Sequence, residues 1–314
     1  MEVISMPMWA WILFYALVIV MLYADLKLFG RKGQHEVSIK EAIQMTFVWI
    51  GVSLIFCAGI YFYENENKAM EFLAGYLIEK SLSMDNLFVF LMLFSFFGVQ
   101  RKYQHEVLFW GIFGALILRS IFIFAGAAMV QRFEWILAIF GVFLIYTGIK
   151  MFGHQEESVD PSKNIFVKLF KKFFPVTDQM HEDKFFIIEN GKRLATPLFI
   201  ALLVIETTDV AFAVDSIPAV FSVSRDPFIV LTSNIFAILG LRALYFALAA
   251  IAQYFQYLKY GLGIILSFVG VKMLLEVFWH IKVDTPISLL IIFGVLVLSM
   301  VASYVATSYS RRRQ

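Results

Sequence analysis

Apolar residues in this chain come in long blocks separated by short polar connections. Nine blocks approach or exceed the roughly 20 residues that a helix needs to cross a bilayer. They run over 8–29, 43–63, 71–98, 107–130, 133–152, 195–222, 228–251, 257–279 and 286–309. The expected fold class is therefore all-α, a polytopic membrane protein of about nine transmembrane helices. Trp9, Trp11, Trp49, Trp110, Trp135 and Trp279 fall at or near block ends, where an interfacial aromatic belt would lie. The first block lacks a basic leader, so it reads as a retained helix and not as a cleaved signal.

Composition agrees with that pattern. Of 314 residues, 61% are hydrophobic and 16% charged, and the mean hydropathy is +0.79, whereas a soluble domain is about 45–50% apolar. A lone Cys57 excludes an internal disulfide framework and a thiolate metal site. The net charge of +2 says little, but its distribution orients the chain. Arg31, Lys32, Lys40, Arg101, Lys102, seven basic residues from Lys163 to Arg193, Lys259 and Arg311–Arg313 fall on one set of connections. Only Lys68, Arg132, Arg225 and Lys282 fall on the other. The positive-inside rule then predicts an outside N-terminus and a cytoplasmic C-terminus.

The chain divides into peripheral helices over 1–70, a first unit over 71–152, a cytoplasmic linker over 153–194, a second unit over 195–279, and a last helix with a basic tail over 280–314. In the linker, Ile165, Phe166, Leu169, Phe170 and Phe173 recur at helical spacing beside Lys168, Lys171 and Lys172. That pattern suits a helix lying on an anionic inner leaflet, as a surface anchor or as a docking element for a protein partner. Asn190-Gly191 between short apolar runs predicts a hairpin.

The two units resemble one another. Glu79-x5-Asp85-Asn86 matches Asp209-x5-Asp215-Ser216, and Arg119 matches Arg242. Gly148-Ile149-Lys150-Met151 matches Gly270-Val271-Lys272-Met273, with 31 and 30 residues from Arg to Lys. A unit of three helices begins its second copy from the opposite side of the membrane, so an inverted repeat is expected, as in secondary transporters.

The stretch from Leu203 to Ser222 carries Glu206, Asp209 and Asp215 among apolar residues. Each ionised acid costs about 2.5–3.5 kcal/mol at a helix centre, and a large apolar residue returns only about 0.3–0.6. A cation, protons or partner side chains must neutralise these acids. On a wheel of about 100° per residue, Glu79, Ser83 and Asn86 share a face, while Asp85 and Asp215 lie about 120° from Glu79 and Asp209. Either two sites exist, or the helices unwind near Asp85 and Asp215, which Pro218 favours. The donors are carboxylates, the amide oxygens of Asn86 and Asn234, and hydroxyls including Ser83, Thr208 and Ser216. This hard set suits Mn²⁺, Mg²⁺ or Ca²⁺. Arg119 and Arg242 need partners at mid-helix, either as counter-charges that fill the site when the ion leaves or as static ion pairs. Lys80 reads as a coupling group or a snorkelling side chain. Asp25, near Lys27 and Arg31, reads as an interfacial pair.

At LIEKSLSMDNLFVF (77–90), ETTDVAFAVDSIPAVF (206–221) and DPFIVLTSNIFAILGLRALYF (226–246) the sequence resembles the TerC family, named for tellurium resistance, and within it the alkali-induced Alx-type branch. The resemblance implies a membrane metal-ion transporter, with manganese efflux as the activity. The expected function is secondary-active export of Mn²⁺ across a bacterial inner membrane, with Glu79, Asp85, Asn86, Glu206, Asp209 and Asp215 as the ion path. Protons are the candidate counter-ion. No ATP-binding loop, nucleophile–base arrangement, organic cofactor or nucleic-acid partner is expected. The alternative is a membrane-embedded factor that delivers manganese to exported proteins through partner contacts.

Overall fold

The computed structural model describes residues 6–30, 38–133, 135–153, 164–177, 179, 181, 183–189, 191–251 and 258–312, with side chains for these apart from 27–30, 85, 250, 251 and 307–312. It is helical apart from one small hairpin. In chain order come α1 (Met8–Gly30), α2 (Ile39–Tyr63), α3 (Glu66–Phe96), α4 (Arg101–Arg132), α5 (Ile136–Lys150) and α6 (Ile165–Phe173). The hairpin pairs β1 (Phe186–Glu189) with β2 (Lys192–Ala195), and Gly191 supplies a positive φ of 73° at its turn. Asn190 lies outside the described residues. Then follow α7 (Pro197–Phe221), α8 (Pro227–Leu239), α9 (Leu241–Ile251), α10 (Leu258–Trp279) and α11 (Thr285–Arg312).

Local chemistry sets several of these ends. Ser38 and Glu41 form a capping box at the start of α2. Asn65 accepts from the Lys68 amide to start α3. Asp226 accepts from the Phe228 amide ahead of Pro227, which leaves no orphan donor at the first position of α8.

Among the described residues, six helices are long and apolar enough to span a membrane, and a seventh span results if α8 and α9, bent by 42°, count as one. The expectation of nine spans is thus met only in part. The third block forms α3, which carries Glu71, Glu79, Lys80 and Asp85, and the fifth forms α5, only 15 residues long. The helix break also sits elsewhere than expected. Both α3 and α7 run unbroken through Asp85, Asp215 and Pro218, and the interruption falls at Gly240. A side chain at Gly240 would meet Trp49 and the Lys80 ammonium, so only a glycine admits α8–α9 this close to α2 and α3.

The centre is made by α3, α4, α7 and α8, and all thirteen residues of α8 are buried. Around it, α2 packs on α9, α11 on α3 and α10, and α1 on α8. Large apolar side chains of α1, α2 and α11 point outward, as lipid-facing helices require. Two tryptophans depart from the expected belt. Trp11 and Trp49 are buried, Trp11 with its ring 5.1 Å from that of Phe228.

The closest helix pair is α5 with α10, running antiparallel. Gly141 faces the Gly270 backbone, and Gly148 faces the Gly263 backbone, each approach leaving no room for a Cβ. Such small-residue seams let backbones meet where lipid offers no hydrophobic drive. Gly148→Leu should lower the thermal midpoint in detergent by the equivalent of about 1–3 kcal/mol or more. Gly51→Leu, where nothing lies within 4 Å, should leave it unchanged; equal midpoints for the two variants would refute the seam.

Candidate functional site

At the centre of the bundle lies a fully buried arginine. Arg119, on α4, donates from Nε to Asp209 Oδ2 at 3.1 Å and from Nη2 to Asp209 Oδ1 at 2.9 Å, a two-point grip on α7. Its Nη1 donates to Glu79 Oε1 on α3, and reaches Ser216 Oγ at 3.2 Å and Asn234 Oδ1 at 3.4 Å. Glu79 Oε2 accepts from Asn234 Nδ2 at 2.9 Å, and Ser83 Oγ donates to Oε1 at 3.2 Å. Glu79 and Ser83 are one turn apart, which is why the helical wheel placed them together. Two carboxylates on one guanidinium leave the cluster a net negative charge when all three are ionised.

Glu206 stands one turn before Asp209, pressed against α4 where Gly114 leaves space for its carboxylate. Its Oε2 is buried and accepts no hydrogen bond. Desolvating an acid without a donor is costly, which sets this oxygen apart from those of Glu79 and Asp209.

A second polar zone is separate. A cavity of about 420 Å³ is lined by Asn86, Thr147, Lys150, Met151 and Asp215, with Leu82 and Phe212 among its apolar walls. Thr147 Oγ1 lies 3.4 Å from Asp215 Oδ1. Asn86 shares the Glu79 face of α3 yet opens onto this cavity, not onto the arginine cluster. The two polar zones are thus apart, and neither α3 nor α7 is unwound between them. The side chain of Asp85 lies outside the described residues.

Arg242 does not mirror Arg119: its Nη2 contacts Asp25 on α1, at 2.5 Å to the backbone oxygen and 2.8 Å to Oδ2. Asp25 thus pairs with Arg242, whereas the side chains of Lys27 and Arg31 lie outside the described residues. Thr208 Oγ1 turns back to the Val204 carbonyl at 2.6 Å. Lys80 turns inward, and its ammonium donates to the Ala237 carbonyl at 3.1 Å, capping the orphan end of α8. Asn234 makes a hydrogen bond between helices, from α8 to Glu79 on α3. Among the described residues no three His, Cys, Asp or Glu side chains gather as a metal centre.

Sequence reading assigned no role to Thr147 or Gly114, and Lys150 served only as a repeat landmark. It also passed over the contacts joining α3 to the turn before α8. There Lys68 pairs with Glu71 at 3.2 Å and Asp226 at 3.1 Å, and Ser224 donates to Glu71 at 2.5 Å. These residues sit at block ends, where charge is ordinary and no spacing marks a contact.

Residues 64–312 match the model of the integral membrane protein TerC family. The chain belongs to the TerC family. That family match begins at α3's N-cap region and takes in the arginine cluster, the cavity and every later helix. The chain is 47% identical over 300 residues to an uncharacterized membrane protein of Myxococcus xanthus, covering 96% of this chain and 93% of that one. It is 46% identical over 310 residues to the Escherichia coli K12 protein named "Putative membrane-bound redox modulator Alx", covering 96% and 95%. An uncharacterized membrane protein of Rickettsia bellii is 40% identical over 296 residues, covering 94% and 97%. No solved structure shows significant similarity. The chain is thus an integral, multi-pass membrane protein of a bacterial family.

Removing the guanidinium strands two buried carboxylates. Arg119→Met should cost about 3–5 kcal/mol in stability, read from chemical unfolding in micelles. Adding Glu79→Gln and Asp209→Asn to that variant should restore most of the loss, because no uncompensated charge then remains. If the triple variant is no more stable than Arg119→Met, the cluster is not the electrostatic centre described.

Proposed function

We propose that this TerC-family protein is a secondary-active divalent metal-ion transporter that exports Mn²⁺ from the cytoplasm of a bacterial cell. The observation that carries the reading is the Glu79–Arg119–Asp209 cluster. A guanidinium held by carboxylates from two helices is a built-in surrogate for a transported cation. An arriving divalent ion competes for the same oxygens, and the arginine returns to them when the ion departs. Glu206, with its unpartnered oxygen beside Asp209, is the acid best placed to carry a proton in exchange. The cavity at Asn86 and Asp215 is wide enough to hold a hydrated ion before it reaches the cluster. Oxygen donors throughout favour a hard ion, and the thioethers of Met84, next to Asp85 in the chain, and Met151, on the cavity wall, tilt the choice toward Mn²⁺.

The inverted-repeat reading supports alternating access. If α5 corresponds to α10, then Gly141 corresponds to Gly263 and Gly148 to Gly270. The contacts Gly141–Gly270 and Gly148–Gly263 then exchange with each other under a twofold rotation, as a self-complementary seam requires. In this reading α3 and α5 also cross the membrane, giving nine spans with the N-terminus outside and the C-terminus cytoplasmic. The substrate binds at protein oxygens and is not a resident cofactor, and no organic cofactor or enzymatic step enters the cycle.

Two other readings are less favoured. Delivery of manganese to exported proteins would use the segment around α6 as a docking surface. The relatives' printed name, membrane-bound redox modulator, gives the other; with Cys57 alone, any thiol–disulfide step in this chain would have to be intermolecular.

The test is Mn²⁺ uptake into inverted membrane vesicles, compared with Mg²⁺ and Ca²⁺ at several pH values. Asp209→Asn and Asp215→Asn should each lower the flux about tenfold or more, equivalent to some 1.4 kcal/mol in ion binding. Variants that transport as well as the parent would sink the site assignment. Vesicle transport that survives deletion of 163–174, with partner metalation lost, would favour delivery.

A further inference from the structure

We propose that α6 is a docking helix for an anionic phospholipid surface, and that its seating there is transmitted to α7 through Asn164. The helix reads IFVKLFKKF, so all its ionisable residues are basic. Lys168, Lys171 and Lys172 recur at i, i+3 and i+4 and share a face. Ile165, at 72% exposure, and Phe173, at 73%, stand outward with Phe166 and Leu169. Only Val167 is buried, and Phe170 leans on Phe199 of α7 with ring centroids 5.0 Å apart. Helices of nine residues are too short to persist in water on their own. With Asn164 against Thr207 and Phe170 against Phe199, α6 runs antiparallel along the first half of α7, and its four uncovered apolar residues are held on the flank of a spanning helix, within reach of the bilayer. Cationic side chains with apolar stems fit the headgroup region of an anionic leaflet better than a soluble partner.

What makes this more than an anchor is Asn164. Its side-chain oxygen caps α6 by accepting from the Phe166 and Val167 amides at 2.9 and 3.2 Å. Its Nδ2 donates at 2.9 Å to Thr207 Oγ1 on α7. Thr207 in turn donates to the Val204 carbonyl at 3.0 Å. The first turn of α6 is therefore tied to α7 one residue from Glu206 and two from Asp209. A headgroup that pulls on the lysines pulls on the helix that carries the acids.

The lipid contact and its transmission can be read without any ion flux, so they stand or fall apart from the transport reading. Full-length protein carrying Cys57→Ser and Phe166→Cys, labelled with a bimane fluorophore, is placed in nanodiscs of phosphatidylcholine or of an equal mixture with phosphatidylglycerol. Each basic residue near an anionic leaflet contributes about fivefold to partitioning, so three contribute roughly a hundredfold. Nitroxide-labelled lipid should quench the fluorophore strongly in the mixed discs and weakly in neutral ones. Lys168→Gln, Lys171→Gln and Lys172→Gln together should abolish the difference. Equal quenching in both lipids, or in parent and triple variant, overturns the proposal; weak quenching everywhere assigns the face to an acidic protein instead. For the second half, amide exchange over 203–211 should slow when phosphatidylglycerol is present, and Asn164→Ala should remove that slowing while α6 still docks. Slowing that persists in Asn164→Ala breaks the link to α7.

Discussion

Everything central in this molecule answers to one constraint: charge held away from water must be met by opposite charge and by donors at hydrogen-bond distance. Arg119 is wholly buried, and its guanidinium engages groups on α3, α7 and α8 from its own seat on α4. Four helices that lipid gives little hydrophobic reason to associate are thereby cross-linked at one point. The cost of burying the charges is set against their mutual attraction, which is why the cluster is saturated with amide and hydroxyl donors.

The surrounding packing serves the same requirement. α8 can be short and wholly buried because its two ends are closed by side chains from outside it or from its cap, Lys80 at Ala237 and Asp226 at Phe228. Gly114 opens the space that Glu206 fills, and Gly240 lets the bend approach Lys80 and Trp49. A second buried pair, Arg242 with Asp25, binds α1 to α9 by the same logic at another place. It gives the first helix, which precedes the family match, an electrostatic tie to the body of the protein.

The polar interior is split. One zone is sealed around Arg119, and the other is a cavity that Asp215 and Asn86 share with Lys150. The sealed zone carries a net negative charge when its three groups are ionised, whereas the open one sets Asp215 beside Thr147 on a cavity wall. Helix α6 is tied through Asn164 and Phe170 to α7, the helix that carries Glu206, Asp209 and Asp215.

Much of this was written in the chain. Hydropathy alone located each long helix to within a few residues, because a spanning segment must bury its backbone in its own hydrogen bonds and show apolar side chains to lipid. Residue type marked Glu79, Asp209, Arg119 and Asn234 as interior groups in need of partners, and i, i+4 spacing joined Ser83 to Glu79. What sequence could not reveal was who partners whom. Arg119 and Arg242 fall in similar stretches of sequence, yet one grips two acids and the other pairs with Asp25, far away in sequence. Pro218 is tolerated inside a continuous helix while a glycine breaks another. Local propensity and periodicity act within a helix, and so can be read along the chain. The contacts that neutralise charge act between helices, and only the packing of one against another decides them.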